Sequence, residues 1–183
     1  MNYRTIGVVE LNSIALGIHT ADEMSKAASV SLVMARPTCP GRFLVMVAGD
    51  TGAVKSSVEA GRELAGATVV DWFVIPSIHP MVLPALSGTT ITPQINALGV
   101  IETYTVASCI IAADAAAKSG MVELLEIRFA AGLAGKSFVT MTGDVGSVKS
   151  SVSSGIEAVG ESGPVHSHVV IPSPSEDLKK QLL

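Results

Sequence analysis

The sequence has few aromatic and few charged residues. Among its 183 residues, Phe, Trp and Tyr together make up 4% and the charged residues 15%, whereas an average soluble domain carries about 25% charged residues. The apolar fraction is 48% and the mean hydropathy is +0.50. A monomer does not readily bury this much apolar surface, so we expect the chain to form an oligomer.

Long apolar runs and basic clusters are also absent. The longest apolar stretches, 43–49 and 107–113, are far shorter than the roughly 18 residues of a transmembrane helix, and the N-terminus has no signal-peptide core. The net charge is −4 and the basic residues are scattered. We therefore expect a cytosolic protein whose partners are other proteins, with no nucleic acid and no membrane among them.

The sequence contains only two cysteines, Cys39 and Cys109. A structural disulfide is not expected in a reducing compartment, and the apolar neighbours of Cys109 predict a buried helical thiol. Cys39 lies between Pro37 and Pro40, in a segment, 36–41, that we expect to be stiff, extended and outside any sheet. From these residues alone, Cys39 is either a thiol presented to a ligand or a small buried apolar side chain.

The sequence contains an internal duplication of one module. At an offset of 92, Gly-Val-Val-Glu at 7–10 matches Gly-Val-Ile-Glu at 99–102, and beyond the segment around Cys39 the offset becomes 94, where 49–58 matches 143–152. Three further identities at the offset of 92 pair Asp22 with Asp114, Lys26 with Lys118, and Arg36 with Arg128. The duplication predicts two domains, 1–87 and 97–183, joined by a linker at 88–96.

Each module predicts the order strand, helix, strand, strand, helix, strand, which is an α+β sheet with helices on one face. In the first module we predict strands at 5–11, 30–36, 43–48 and 69–75, one helix from Ser13 or Thr20 to near Ala28, and another from Asp50 or Thr51 to Ala65. In the second we predict strands at 98–103, 122–128, 136–142 and 166–171 and helices at 106–118 and 145–159. A short amphipathic helix is expected at 175–183.

Most candidate sites favour structural interpretations. The glycines of 49–56 lack the spacing of a phosphate-binding loop, so this duplicated segment predicts a strand-to-helix turn. The four histidines lack metal-ligand spacing; His166 and His168 alternate on a predicted strand, but no third ligand accompanies them. Glu10 and Glu102 fall in separate modules, which disfavours a general acid/base pair, and we predict no enzymatic activity.

The two modules differ most in the loop after their second strand. The segment at 129–134 in the second module is two residues longer than its counterpart around Cys39, is apolar and glycine-rich, and contains no cysteine. Divergence confined to one loop of a duplicated scaffold is typical of a functional position. Cys39 is thus the main chemical difference between the modules.

The repeated motifs resemble the bacterial microcompartment shell domain. They are the Gly-Val-x-Glu strand, the Asp and Lys four residues apart on the first helix, the Gly-Asp pair before the second helix, and the Ile-Pro end of the last strand, which is Ile75-Pro76 in the first module. The order of elements is similar to the non-permuted tandem type, with two βαββαβ domains. Residues 38–41 resemble the central loop of the iron–sulfur-bearing tandem shell proteins of propanediol-utilisation microcompartments.

This resemblance implies a homotrimer that imitates a hexagonal tile of the shell, within the cytoplasm. Its implied partners are other shell proteins and encapsulated redox enzymes. It also implies a central pore lined by Pro37, Thr38, Cys39, Pro40 and Gly41. A cyclic trimer brings three copies of Cys39 to one axis, and three thiolates suit one [4Fe–4S] cluster with an iron left open. The implied function is electron relay across the shell or cluster delivery.

The resemblance also assigns Lys26 and Lys118 to the edge of the tile, although a plain solvated lysine is the alternative at each position. The sequence departs from many shell domains in one respect. Ser77 and Ser173 follow the prolines that end the last strands, where an arginine that reaches the neighbouring tile is usual.

Two other functions stay open at the level of sequence. The first is a metal-free pore in which Thr38, Cys39 and Gly41 line a channel for small polar metabolites; three thiolates would also suit zinc. The second is nucleophilic catalysis by Cys39, which is disfavoured because no base is identifiable near it.

Overall fold

The computed structural model describes residues 5–91, 94–129, 133–160 and 165–182. They form two compact units. Unit 1 extends to Ile78 and also includes Thr105–Ala107 and Phe129–Lys136, whereas unit 2 contains the remainder from His79 onward. The domain limits 1–87 and 97–183 stay predictions.

Unit 1 contains the elements of the first module in the predicted order. They are β1 (Thr5–Leu11), α1 (Ile14–Ala27), β2 (Val30–Thr38), β3 (Arg42–Gly49), α2 (Thr51–Ala65), a 3₁₀ turn (Gly66–Thr68) and β4 (Val69–Pro76). Ser13 is the N-cap of α1, where its hydroxyl accepts a hydrogen bond from the backbone N–H of Leu16. Thr20 therefore lies inside the helix rather than at its start.

The four strands of unit 1 form one antiparallel sheet in the order β2-β3-β1-β4. α1 and α2 pack against it, and the core between them combines apolar side chains of β1 and β3 with those of the two helices. Gly7, in the repeated Gly-Val-x-Glu motif, makes this packing possible, because a Cβ there would lie 2.4 Å from Val58 Cγ2 and 2.7 Å from Val54 Cγ1.

Unit 2 repeats this arrangement. Its elements are α3 (Val82–Ser87), β5 (Ala97–Thr103), α4 (Val106–Ser119), β6 (Val122–Phe129), β7 (Ser137–Gly143), α5 (Val145–Val159), β8 (Val165–Ile171) and α6 (Glu176–Leu182); the first two residues of α4 and the last residue of β6 belong to unit 1. The sheet order is β6-β7-β5-β8, in which each strand takes the position of its counterpart in the first module's order β2-β3-β1-β4. The α+β class and the two βαββαβ modules are thus confirmed.

The C-terminal helix α6 packs on unit 2, as its leucine pattern predicts. Leu182 joins a cluster formed by Ile95, Leu98 and Leu125. Cys109 is fully buried in α4, which confirms the prediction of a buried helical thiol. Among the described residues, no helix is long and apolar enough to cross a membrane.

Two features of the fold differ from the sequence-based expectations. α3 was not predicted; its Pro84 is the third of its six residues, in the first turn, where a helix tolerates proline. The expectation that residues 36–41 stay outside any sheet is also wrong, since Pro37 pairs with Phe43 and Thr38 with Arg42. β2 is an edge strand, and an edge strand tolerates the missing N–H of a proline.

Candidate functional site

The β2–β3 turn consists of only three residues, Cys39, Pro40 and Gly41. The strands on either side pair as far as Thr38 and Arg42, so they hold the two ends of the turn together. Gly41 has φ +72°, a left-handed conformation that glycine adopts without steric cost. The Cys39–Pro40 peptide bond is cis. The thiol is carried at the tip of a short hairpin whose strands pair up to the residues on either side of the turn.

The side chains of this hairpin differ in exposure. Pro37, Pro40 and Gly41 are exposed, and Cys39 is half-buried with a free thiol. Thr38 is buried, and among the described residues its hydroxyl oxygen has no hydrogen-bond partner. A buried hydroxyl without a partner destabilises the fold by about 1–3 kcal/mol. The Thr38 hydroxyl is therefore a hydrogen-bond donor without an acceptor among the described residues, on the residue that precedes Cys39.

Glu10 anchors the base of the hairpin. Its Oε1 accepts a hydrogen bond from Arg42 Nη1 at 2.9 Å, and its side chain is only 1% exposed. Its Oε2 accepts from the backbone N–H groups of Val106, at 2.8 Å, and Ala107, at 3.3 Å, the first two residues of α4 and part of unit 1. Burial raises the pKa of Glu10, against the opposing effect of these donors.

The second module's loop contributes to the same unit. The Arg36 guanidinium lies 4.4 Å from the centre of the Phe129 ring, a cation–π contact. A Cβ on Gly135 would lie 2.8 Å from Pro40 Cδ and 3.4 Å from the carbonyl oxygen of Cys39. Glycine is thus required where this loop passes the cysteine turn. The sequence analysis predicted neither the Arg36–Phe129 contact nor the close approach of Gly135 to Pro40. The glycine-rich composition of the loop was a signal for the close approach.

The part of the chain that the structure describes contains no complete metal site. Among the described residues, no group of three or more His, Cys, Asp or Glu side chains is placed to hold a metal ion. Cys39 supplies one thiol, and His166 lies on the exposed surface of β8 with its Nδ1 2.6 Å from the Tyr104 hydroxyl. Within the described residues, Cys39 is thus a single thiol without companion metal ligands.

The two predicted edge lysines occupy equivalent places on α1 and α4. Lys26 Nζ lies 2.5 Å from Asp22 Oδ2, and Lys118 Nζ lies 2.5 Å from Asp114 Oδ2. The first pair is exposed, and interaction with Asp22 raises the pKa of Lys26. The side chains of the second pair are less exposed than those of the first. Asp114 also accepts a hydrogen bond from the backbone N–H of His79.

The 49–56 segment is a strand-to-helix turn, as predicted. β3 ends at Gly49, and α2 begins at Thr51 with Asp50 as its N-cap. The equivalent turn in the second module joins β7 to α5 through Asp144. The duplicated glycines therefore serve the fold.

Comparison with known proteins gives consistent results for both units. The family model for the BMC domain matches residues 5–78 and 97–174. The chain is 42% identical over 180 residues to the bacterial microcompartment shell protein PduT of Citrobacter freundii, and the match covers 98% of each chain.

Two solved structures resemble the fold. A microcompartment protein from Desulfitobacterium hafniense DCB is 53% identical with a TM-score of 0.86, and the match covers 96% of this chain and 98% of that one. A fused permuted hexameric shell protein of the RMM microcompartment has a TM-score of 0.63 over 84% of this chain and 79% of that one. At 19% identity, the second likeness concerns the fold alone.

Proposed function

Because this chain belongs to the BMC-domain family of bacterial microcompartment shell proteins, we propose that three copies form a shell tile with one [4Fe–4S] cluster at its centre. Each copy contributes the Cys39 thiolate. The observation that carries the proposal is the free, half-buried thiol at the tip of the hairpin, in the first module alone.

Assembly into a trimer supplies what one chain lacks. Two modules per chain and three chains give six modules around an axis, and cyclic symmetry repeats each residue three times. The high apolar content, 48% of the residues, supports burial of further surface between copies. A trimer therefore converts one thiol into a set of three.

The residues of the hairpin fit such a cluster. Thiolates are the usual protein ligands of iron–sulfur clusters, and hydrogen bonds to the sulfur atoms tune their reduction potential. Cys39 supplies the thiolate, and the buried Thr38 hydroxyl, which has no partner among the described residues, is a donor available for this purpose. Exposed Pro37 and Pro40 stiffen the backbone that presents the thiol.

The proposed tile is structural and has no catalytic role of its own. When bound, the cluster would accept and release one electron at a time, which suits electron relay between the two sides of the shell. An iron without a protein thiolate also suits cluster delivery to an encapsulated redox enzyme. In both cases the chain's own task is to hold three thiolates at one point.

Anaerobic reconstitution with iron and sulfide tests this proposal. We expect a brown trimer with about four iron atoms per three chains, and a Cys39→Ser variant that stays trimeric but colourless. Cys109→Ala is the matched control, because it removes the other cysteine from the buried interior of α4 and should retain the iron. A trimeric wild type that binds no iron after reconstitution would overturn the cluster.

A metal-free tile is the second candidate. It is supported by the surface of the hairpin itself, where Gly41 is exposed and the Thr38 hydroxyl has no hydrogen-bond partner among the described residues. In this case Thr38, Cys39 and Gly41 would line a passage for small polar metabolites. Metal analysis of the reconstituted trimer separates the candidates, with zinc at three thiolates as a distinct result.

A further inference from the structure

Three side chains of unit 2 form a row at one end of its sheet. Tyr104 directly follows β5, and its hydroxyl oxygen lies 2.6 Å from Nδ1 of His166 in β8. The two rings meet edge to face, with centroids 4.9 Å apart. The other ring nitrogen of His166, Nε2, lies 3.9 Å from Glu102 Oε2. A phenol, an imidazole and a carboxylate are therefore placed in this order.

This order is that of an activated nucleophile. A weak nucleophile gains reactivity from a base within hydrogen-bond distance, when a third group orients that base. A neutral imidazole has one donor and one acceptor nitrogen. The Glu102 carboxylate favours the proton on Nε2 of His166, so Nδ1 accepts from the Tyr104 hydroxyl. Glu102 is itself held by the Ser167 hydroxyl, which donates to it at 2.9 Å.

The phenol and the imidazole are both open to a reagent on the surface of their unit. Tyr104 is 47% exposed, and the His166 side chain is 37% exposed. Their separation of 2.6 Å lies within the range of about 2.6–3.2 Å over which a base takes a proton. An electrophile can therefore approach the Tyr104 oxygen while His166 is in position to receive its proton.

An apolar groove of unit 2 begins at the same carboxylate. Glu102 and Ser167 line one part of it, and its volume is about 400 Å³, within the roughly 300–1,000 Å³ of small-molecule sites. The remaining lining is mostly apolar and comes from β5, β7, β8 and α6, including Val100, Phe138 and Val169. An apolar chain that occupies this groove ends beside the carboxylate that faces His166.

We propose that Tyr104 is an acyl-acceptor site, which attacks an activated acyl ester whose apolar chain lies in the groove. The Tyr104 oxygen forms a bond to the carbonyl carbon, and the phenolic proton moves to His166 Nδ1. The bond between the carbonyl carbon and the leaving oxygen breaks, and the imidazolium returns the proton to that oxygen. The products are an O-acyl tyrosine and an alcohol, so no oxidant or reductant takes part.

Glu102 is a positioning residue in this reaction. Its carboxylate stabilises the imidazolium that forms when His166 takes the proton, because opposite charges at 3.9 Å attract. Each chain accepts one acyl group, and the modification is not a catalytic turnover. The inference goes beyond the proposed tile and does not depend on the cluster.

Reaction of the full chain with p-nitrophenyl hexanoate tests the site. Mass spectrometry of the peptide that contains Tyr104 measures the rate, and Tyr3, the other tyrosine of the sequence, is the internal reference. We expect a hexanoyl group on Tyr104 well before Tyr3 reacts. His166→Gln should slow labelling of Tyr104 by roughly a hundredfold or more, the usual contribution of a general base. His19→Gln, at an exposed position of α1, is the matched control and should react like the wild type.

The length of the acyl chain tests the groove separately. Relative to Tyr3, Tyr104 should react roughly tenfold faster or more with the hexanoyl than with the acetyl ester, because the groove removes the longer chain from water. Val169→Asp should abolish this preference and keep the acetyl rate, whereas Met121→Asp, at an 86% exposed position outside the groove, should retain it.

Two results would contradict the inference. A Tyr104 that reacts no faster than Tyr3, or equally fast in a folded His166→Gln variant, overturns the acyl-acceptor site. Equal Tyr104 rates with the two esters overturn the groove as the place of the acyl chain. Circular dichroism of each variant establishes that it is folded.

Discussion

Glu10 is the residue at which burial and hydrogen bonding oppose each other most directly. Its side chain is 1% exposed, and removal of a carboxylate from water favours the neutral acid. Arg42 and the two backbone N–H groups of α4 favour the charged form, but desolvation is the larger effect and the pKa is raised. The sequence marks this glutamate only as half of a repeated motif.

The raised pKa of Glu10 gives a pH-dependent stability of defined sign. Between the ordinary value of 4.5 and the raised value, the folded chain binds more protons than the unfolded chain, so the contribution of Glu10 falls as the pH rises through this window. Relative to Glu10→Gln, the wild type should lose free energy of unfolding from about pH 4 upward. Urea unfolding of both proteins at several pH values measures this change, and a wild type whose free energy of unfolding rises with pH relative to that of Glu10→Gln would contradict the raised pKa.

The equivalent helices α2 and α5 differ in the hydrogen bonds of their N-cap side chains. α2 and α5 each have 15 residues and an aspartate N-cap. Asp144 accepts hydrogen bonds from the backbone N–H groups of Gly146 and Ser147 and from the Ser147 hydroxyl, whereas Asp50 makes no side-chain cap hydrogen bond. The same residue type therefore stabilises one helix start more than the other.

Asp144→Ala should consequently loosen α5 more than Asp50→Ala loosens α2. Hydrogen bonds from Ser147 and Gly146 lower the pKa of Asp144, so its stabilisation is present above the ordinary pKa of an aspartate and is lost as the pH falls through the lowered value. Hydrogen exchange of the first-turn amides of both helices measures the effect. Equal acceleration in the two variants would show that the cap hydrogen bonds do not matter.

At the scale of the whole molecule, the proposed tile must contact its neighbours through residues that the fold does not need. Lys26 is such a residue, since its side chain is 68% exposed and pairs only across one turn with Asp22. Water screens an exposed pair of this kind, so it contributes little to stability. Replacement of Lys26 should therefore leave the fold intact and report on assembly alone.

Simultaneous replacement of Lys26 and Lys118 by Ala should raise the concentration needed to form extended sheets while the trimer persists. Negative-stain electron microscopy shows the sheets, and sedimentation velocity shows the trimer. Lys55 and Lys149, also related by the repeat and exposed on α2 and α5, provide the matched double control. If both double variants form sheets at the same concentration, Lys26 and Lys118 are solvated lysines that make no contact between tiles.

Much of the fold was predictable because it depends on local sequence. Apolar periodicity and the glycine-rich turns place β1 at Thr5–Leu11 and α5 at Val145–Val159 with the bounds that the structure has. The prediction failed at Pro37, which was expected to exclude its segment from the sheet. Its position on an edge strand is a property of the sheet order, and no local pattern contains that order.

The candidate site likewise has features that were predictable from local sequence and features that were not. The sequence by itself determined the duplication, the order of elements and the restriction of Cys39 to one module, since these follow from residue identity and local spacing. Only the tertiary structure placed Gly135 against Pro40 and the Glu10 carboxylate on the start of α4, 96 residues away. Contacts over such separations form through the packing of whole elements, so neighbouring residues in the sequence do not identify the two partners, even where a glycine-rich loop indicates a close approach.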